Sequence, residues 1–163
     1  MNHDPLRISA VEALPDQCLQ ITFQDGWRAK VNLSHWIANT KLLAPLQDAA
    51  LFEMARVGDW GTSVVWIEET VDLGADNLRN LAVEQAGGIG HERIVTWLHS
   101  NKLTQQQGAD AIGVSRRMLA YYLSGEKPIP KTVWLACLGW QLQDSKTAAG
   151  LDVESNERFA LAA

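Results

Sequence analysis

Residues 103–125 read LTQQQGADAIGVSRRMLAYYLSG. Thr104 suits the position that caps a helix, and Gln107 three residues later completes a capping box. The helix so begun would run to Ile112 and end at Gly113, a residue that tolerates the left-handed conformation of a tight turn. Val114 follows as an apolar plug, and Ser115 is placed to cap a second helix with Leu119 and Tyr122 turned inward. Ala109 falls where the first helix must let the second come close. An Ala, a Gly four residues on, and apolar residues six and nine after that Gly describe a helix-turn-helix.

If Leu119 and Tyr122 face inward, then Arg116, Arg117, Ala120, Tyr121 and Ser124 form the outward stripe of the second helix. Two adjacent arginines open that stripe, at the end of the helix that would enter a major groove. An arginine there can grip guanine O6 and N7 together, worth roughly 1–3 kcal/mol of discrimination. Gln105, first in the preceding helix, is a candidate for a phosphate contact, and Gln106, Ser115 and Tyr121 complete the expected DNA-binding set with Arg116 and Arg117. The expected recognition helix spans about 115–124.

The flanks agree with this reading. Ile94, Trp97 and Leu98 give a preceding helix an apolar face. Pro130 suits the first turn of a following helix, with Val133, Trp134, Cys137, Leu138 and Trp140 expected to bury it. Residues 91–143, above all GVSRRMLAYYLSGEKPIPKTVWLA, resemble the Cro and lambda-repressor type of helix-turn-helix domain. The resemblance implies operator binding, usually by a dimer, with Ser115, Arg116, Arg117 and Tyr121 at recognition positions. One position departs from the family, Gly108 standing where a leucine is usual, and a glycine there weakens an isolated helix by roughly 1 kcal/mol.

The chain before this segment has a different grammar. Leu6–Leu14 reads as a strand ending at the turn pair Pro15-Asp16, and Cys18–Phe23 and Trp27–Asn32 alternate around Asp25-Gly26 as a β-hairpin. Ser34 is expected to cap a short helix through Ile37, and Asp48–Arg56 to form another helical turn. Ser63–Glu68 carries four consecutive apolar residues, as in a strand buried on both faces, and Asp76–Glu84 has helical spacing. Gly87-Gly88-Ile89-Gly90 reads as a flexible or sharply turning boundary. The expected fold class is α+β for the chain as a whole. A small α+β domain with an antiparallel hairpin sheet occupies 1–86, an all-α lambda-repressor-like domain 89–145, and a short tail 146–163. The first part also resembles a small bacterial domain of unknown function, in RISAVEALPDQCLQITFQDG and a later Val71-Asp72-Leu73 before a helix. That resemblance implies no activity, although such domains occur ahead of helix-turn-helix segments and near toxin–antitoxin genes.

Charge divides along the same line. The formal net charge is −5, yet residues 1–87 carry 6 Lys/Arg against 12 Asp/Glu, whereas 88–150 carry 7 against 4. A basic segment joined to an acidic one points to a nucleic-acid-binding part beside a partner, sensing or dimerisation part. The start of the chain lacks the apolar core of a secretory signal, and no uncharged apolar run spans a bilayer, so a cytoplasmic protein without a membrane is expected. Cys18 and Cys137 are read as two buried thiols rather than a disulfide.

No catalytic, cofactor or metal constellation emerges. His3, His35, His91 and His99 share no metal-ligand spacing and are read as surface residues. Adjacent Glu68-Glu69 would point to opposite faces of a strand, Ser34-His35 lacks an orienting acid, and the glycines at 87–90 lack the Lys of a phosphate loop. Trp27, Trp36, Trp60 and Trp66 are read as core. The function expected is a non-enzymatic, sequence-specific, DNA-binding transcriptional regulator acting on double-stranded DNA as a homodimer. The alternative is a protein-interaction or antitoxin-like module, with a protein partner held through the first domain.

Overall fold

The computed structural model describes residues 4–148, so His3 and the tail beyond Ala148 lie outside the described residues. The architecture is α+β, the described residues forming two three-stranded antiparallel sheets with short helices between them and five further helices after them. Strands β1 (Ile8–Leu14), β2 (Cys18–Phe23) and β3 (Arg28–Asn32) pair in sequence order, with Leu19 opposite Val31 and Ile21 opposite Ala29. The apolar positions of β2 and β3 fall on one face, and those residues are buried there. The β2–β3 turn is closed by Gly26, whose φ is +88°, and by the Asp25 carboxylate accepting the Trp27 amide at 3.0 Å.

A second sheet was not foreseen. It consists of β4 (Arg56–Val57), β5 (Ser63–Ile67) and β6 (Val71–Gly74), with Arg56 opposite Val65 and Val64 opposite Leu73. The expected helical turn over 48–56 contracts to α2 (Ala49–Phe52), capped by the Asp48 carboxylate, because Arg56 is drawn into the sheet by strand pairing. In β5, Val64, Val65 and Trp66 are buried, but Ile67 emerges where the strand ends. Ser34 is the first helical residue of α1 (Ser34–Asn39) rather than its cap. Leu33 holds the cap position, and Asn32 accepts hydrogen bonds from both the Ser34 amide and hydroxyl. Trp66 belongs to the core and donates from its indole to the Phe52 carbonyl at 3.0 Å. Trp27 and Trp36 pack at its margin, whereas Trp60 is 84% exposed, contrary to the core reading, at the tip of the β4–β5 connection.

Helix α3 (Ala75–Gln85) buries Ala75, Leu78 and Ala82 against this first core. A separate apolar cluster lies among α4 (His91–Ser100), α5 (Gln105–Ile112), α6 (Arg116–Leu123) and α7 (Lys131–Ala148). Trp97 anchors it, donating its indole N–H to the Cys137 carbonyl at 3.0 Å and meeting Trp140 edge to face. Helix α7 runs past the expected limit at 145 and buries Cys137, but Leu138 remains 39% exposed and does not join the core as expected. Cys18 and Cys137 are both buried free thiols.

The glycine-rich junction is tied down. Helix α4 begins at Gly90 without a cap of its own, and α3 supplies the partners. The Glu84 carboxylate accepts the Gly90 amide at 2.8 Å, and Asn80 Oδ1 accepts the Glu92 amide at 3.0 Å. Two backbone donors that every helix start leaves unpaired are thereby satisfied across the junction. Glu84 also binds the Arg93 guanidinium through two contacts, the Nε one at 2.6 Å.

Candidate nucleic-acid interface

The segment quoted first forms α5 and α6, joined by Gly113, Val114 and Ser115. Both sides of the Thr104–Gln107 capping box are made, at 3.2 and 2.9 Å. Gly113 adopts φ 72° and ψ 33°, the left-handed conformation that lets α5 stop abruptly. The Ser115 hydroxyl then accepts the Met118 amide at 3.1 Å and starts α6. Its own O–H remains available to donate outward.

Packing fixes the rotation of α6. Leu119 is fully buried and Tyr122 nearly so, which leaves Arg116, Arg117, Ala120 and Ser124 exposed. Gly108 explains itself here. It is buried, and a Cβ at that position would overlap Leu98 Cδ2 and touch Trp97 and Leu119. The glycine that weakens α5 as an isolated helix is what admits α4 to close packing.

The outward residues are not equivalent. Arg117 donates from Nε to the Tyr121 hydroxyl at 2.9 Å, with its guanidinium 5.6 Å from the ring centroid. Lys127 approaches the same ring at 4.8 Å, so Tyr121 is half-buried between two cations. The Arg116 side chain makes no hydrogen bond among the described residues. Gln106 donates to Asp110 at 2.9 Å and is held along its own helix, whereas Gln105 stays exposed at the start of α5. Lys127 was not among the sequence candidates. It sits in a loop, and only the return of that loop against Tyr121, through an amide-to-carbonyl bond of 3.3 Å, brings it to the stripe.

His91, expected at the surface, is half-buried where α3 meets α4. Burial, reinforced by Arg79, lowers its pKa against the opposing influence of Asp76. Glu92 moves up, through burial and the neighbouring Asp76 and Glu84. No helix among the described residues is long and apolar enough to cross a membrane.

Residues 8–84 match the family described as protein of unknown function, DUF2442. The fold is similar to the crystal structure of a Nitrosomonas europaea ATCC 19718 protein bearing the name "Putative DNA Binding Protein NE0471". That chain is 39% identical, with a TM-score of 0.76, over 83% of this chain and 86% of its own. This protein belongs to the same family as that chain, and its residues 8–84 carry the DUF2442 segment. No curated protein matches the sequence.

Proposed function

We propose that this protein is a sequence-specific transcriptional regulator whose residues 89–145 form a lambda-repressor-like helix-turn-helix domain. The observation that carries the reading is the α6 stripe. Arg116 and Arg117 stand exposed on the first turn of a helix whose opposite face is locked by Leu119 and Tyr122. A helix so oriented can lay its N-terminal arginines against base edges in a major groove. In this reading Gln105, at the start of α5, would bond a phosphate, and Gln106, Ser115 and Tyr121 would complete the contact set. The name of the Nitrosomonas europaea relative points the same way. Acting as a homodimer, the protein would place two recognition helices about 34 Å apart on a pseudo-palindromic site. The acidic first part would serve dimerisation, sensing or partner contact.

Selection of bound duplexes from a random pool, at two salt concentrations, tests this. The wild type enriches one palindromic site and binds more weakly as salt rises. The R116A/R117A double variant stays folded and enriches nothing. Salt-sensitive retention of every duplex without enrichment overturns the reading in favour of a protein-interaction or antitoxin-like module, which would co-purify with a stoichiometric partner independently of DNA.

A further inference from the structure

A cavity of about 380 Å³ opens between the two halves of the molecule, and neither half could form it alone. Trp27 and Val83 line it from the first half, Tyr122 and Ile129 from the second, and Ile89 from the junction. Its walls are therefore mainly apolar and partly aromatic, and its volume lies in the range of small-ligand sites.

The polar groups at the cavity are chiefly donors. Arg79 is held by Asp25 through two hydrogen bonds, at 3.1 and 2.8 Å, and lies 4.5 Å from the Trp27 ring centroid. That pairing fixes the guanidinium while leaving other N–H groups of its five unspent. His91 lines the same space and, with its pKa lowered by burial, offers one ring N–H as a neutral imidazole. Lys127 is also among the lining residues, its ammonium resting 4.8 Å from the Tyr121 ring centroid, and Glu126 is the one carboxylate among them. Aromatic walls with an excess of donors suit a flat apolar body that carries acceptor oxygens.

We propose that this cavity binds a planar aromatic carboxylate, its ring system between Trp27 and Tyr122 and its carboxylate toward Lys127 and His91. Lys127 is also the residue that packs on Tyr121, whose hydroxyl holds Arg117. A carboxylate that draws the Lys127 ammonium inward removes one of the two cations from the Tyr121 ring and alters the setting of Arg117. As regulation of DNA binding, this consequence rests on the function proposed above. The binding itself does not.

Calorimetric titration of the full chain with benzoate, 1-naphthoate and indole-3-acetate tests the site. Saturable one-to-one binding of at least one is expected. Val83→Phe, which fills the cavity from α3, should weaken it at least about tenfold. Lys127→Met should weaken the carboxylate severalfold and leave binding of neutral 1-naphthalenemethanol unchanged, which separates a lost charge from a lost fold. The Arg117 Nε–H resonance should shift on adding the carboxylate and stay in place in Lys127→Met, a readout that requires no DNA. Absence of saturable binding by all three acids to the folded protein, or unaltered affinity in both variants, overturns the proposal. Failure of duplex selection would overturn the DNA reading and leave these measurements standing.

Discussion

The Tyr121 hydroxyl lies 2.9 Å from Arg117 Nε, one helical turn apart on the exposed face of α6. An arginine side chain that would otherwise sample many rotamers is thus partly organised before it meets any ligand, which reduces the ordering cost of binding. Arg116, its neighbour, has no such brace among the described residues.

Tyr121→Phe should therefore weaken specific DNA binding about three- to tenfold, with little change in thermal stability, because it removes an exposed acceptor and keeps the ring for Arg117 and Lys127. Fluorescence anisotropy on the selected site, with melting followed by circular dichroism, measures both effects. A loss as large as that of Arg117→Ala would mean that Tyr121 makes a contact of its own.

Gly108→Ala sets two effects against each other. Helix propensity favours Ala by roughly 1 kcal/mol. The added methyl would overlap Leu98 in a packed core, and overpacking typically costs about 1–3 kcal/mol. Net destabilisation is expected, seen as a lower urea midpoint with an unchanged slope. A higher midpoint would show that Leu98 repacks freely.

Acid should destabilise the protein in two stages. His91 has its pKa lowered from 6.5, so the unfolded chain takes up that proton first, and stability begins to fall as pH drops through about 6.5. Asp25 and Glu84 behave as depressed carboxylates. Burial by itself would raise both, but Arg79 and the Trp27 amide outweigh it at Asp25, and Arg93 and the Gly90 amide outweigh it at Glu84. Their contribution is present above the ordinary values of 3.8 and 4.5 and is lost as pH falls through the lower folded values. Glu92 runs the other way, since its raised pKa gives stability that is lost as pH rises. Urea titrations from pH 8 to 3 should show a shallow decline near pH 6 and a steeper one below 4.5. His91→Gln should flatten only the first.

Thiol chemistry should be slow in the folded state. Burial pushes the Cys137 thiol up to about 11, so almost none is thiolate at pH 8, and Cys18 is also buried. Ellman's reagent should leave both thiols largely unreacted until denaturant is added and then titrate two. Rapid reaction at Cys137 in the native protein would reveal frequent opening of the α7 packing.

Local signals were enough to place α5 and α6. Thr104, Gln107, Gly113 and Ser115 act within a few residues of themselves, through caps and a left-handed turn, so their roles are written in their spacing. The β2–β3 hairpin was readable for the same reason, its Asp25-Gly26 turn being a contact between near neighbours. Strand β4 was not, because two residues carry no periodicity and Arg56 becomes a strand residue only by pairing with Val65. Gly108 read as a defect, since the Leu98 methyl that excludes a side chain there comes from another helix.

By itself, the sequence determined α5 and α6, the Thr104 and Ser115 caps that begin them and the outward stripe that begins at Arg116, all of which depend on bonds spanning three or four residues. Tertiary structure alone decided that Asn80 and Glu84 cap α4 across a junction that reads as loose, that Lys127 returns to Tyr121, and that Trp27 and Tyr122 face one cavity. Each of these spans more than one helical turn, and the most distant pair, Trp27 and Tyr122, meets only once two cores have packed and set the distance between them.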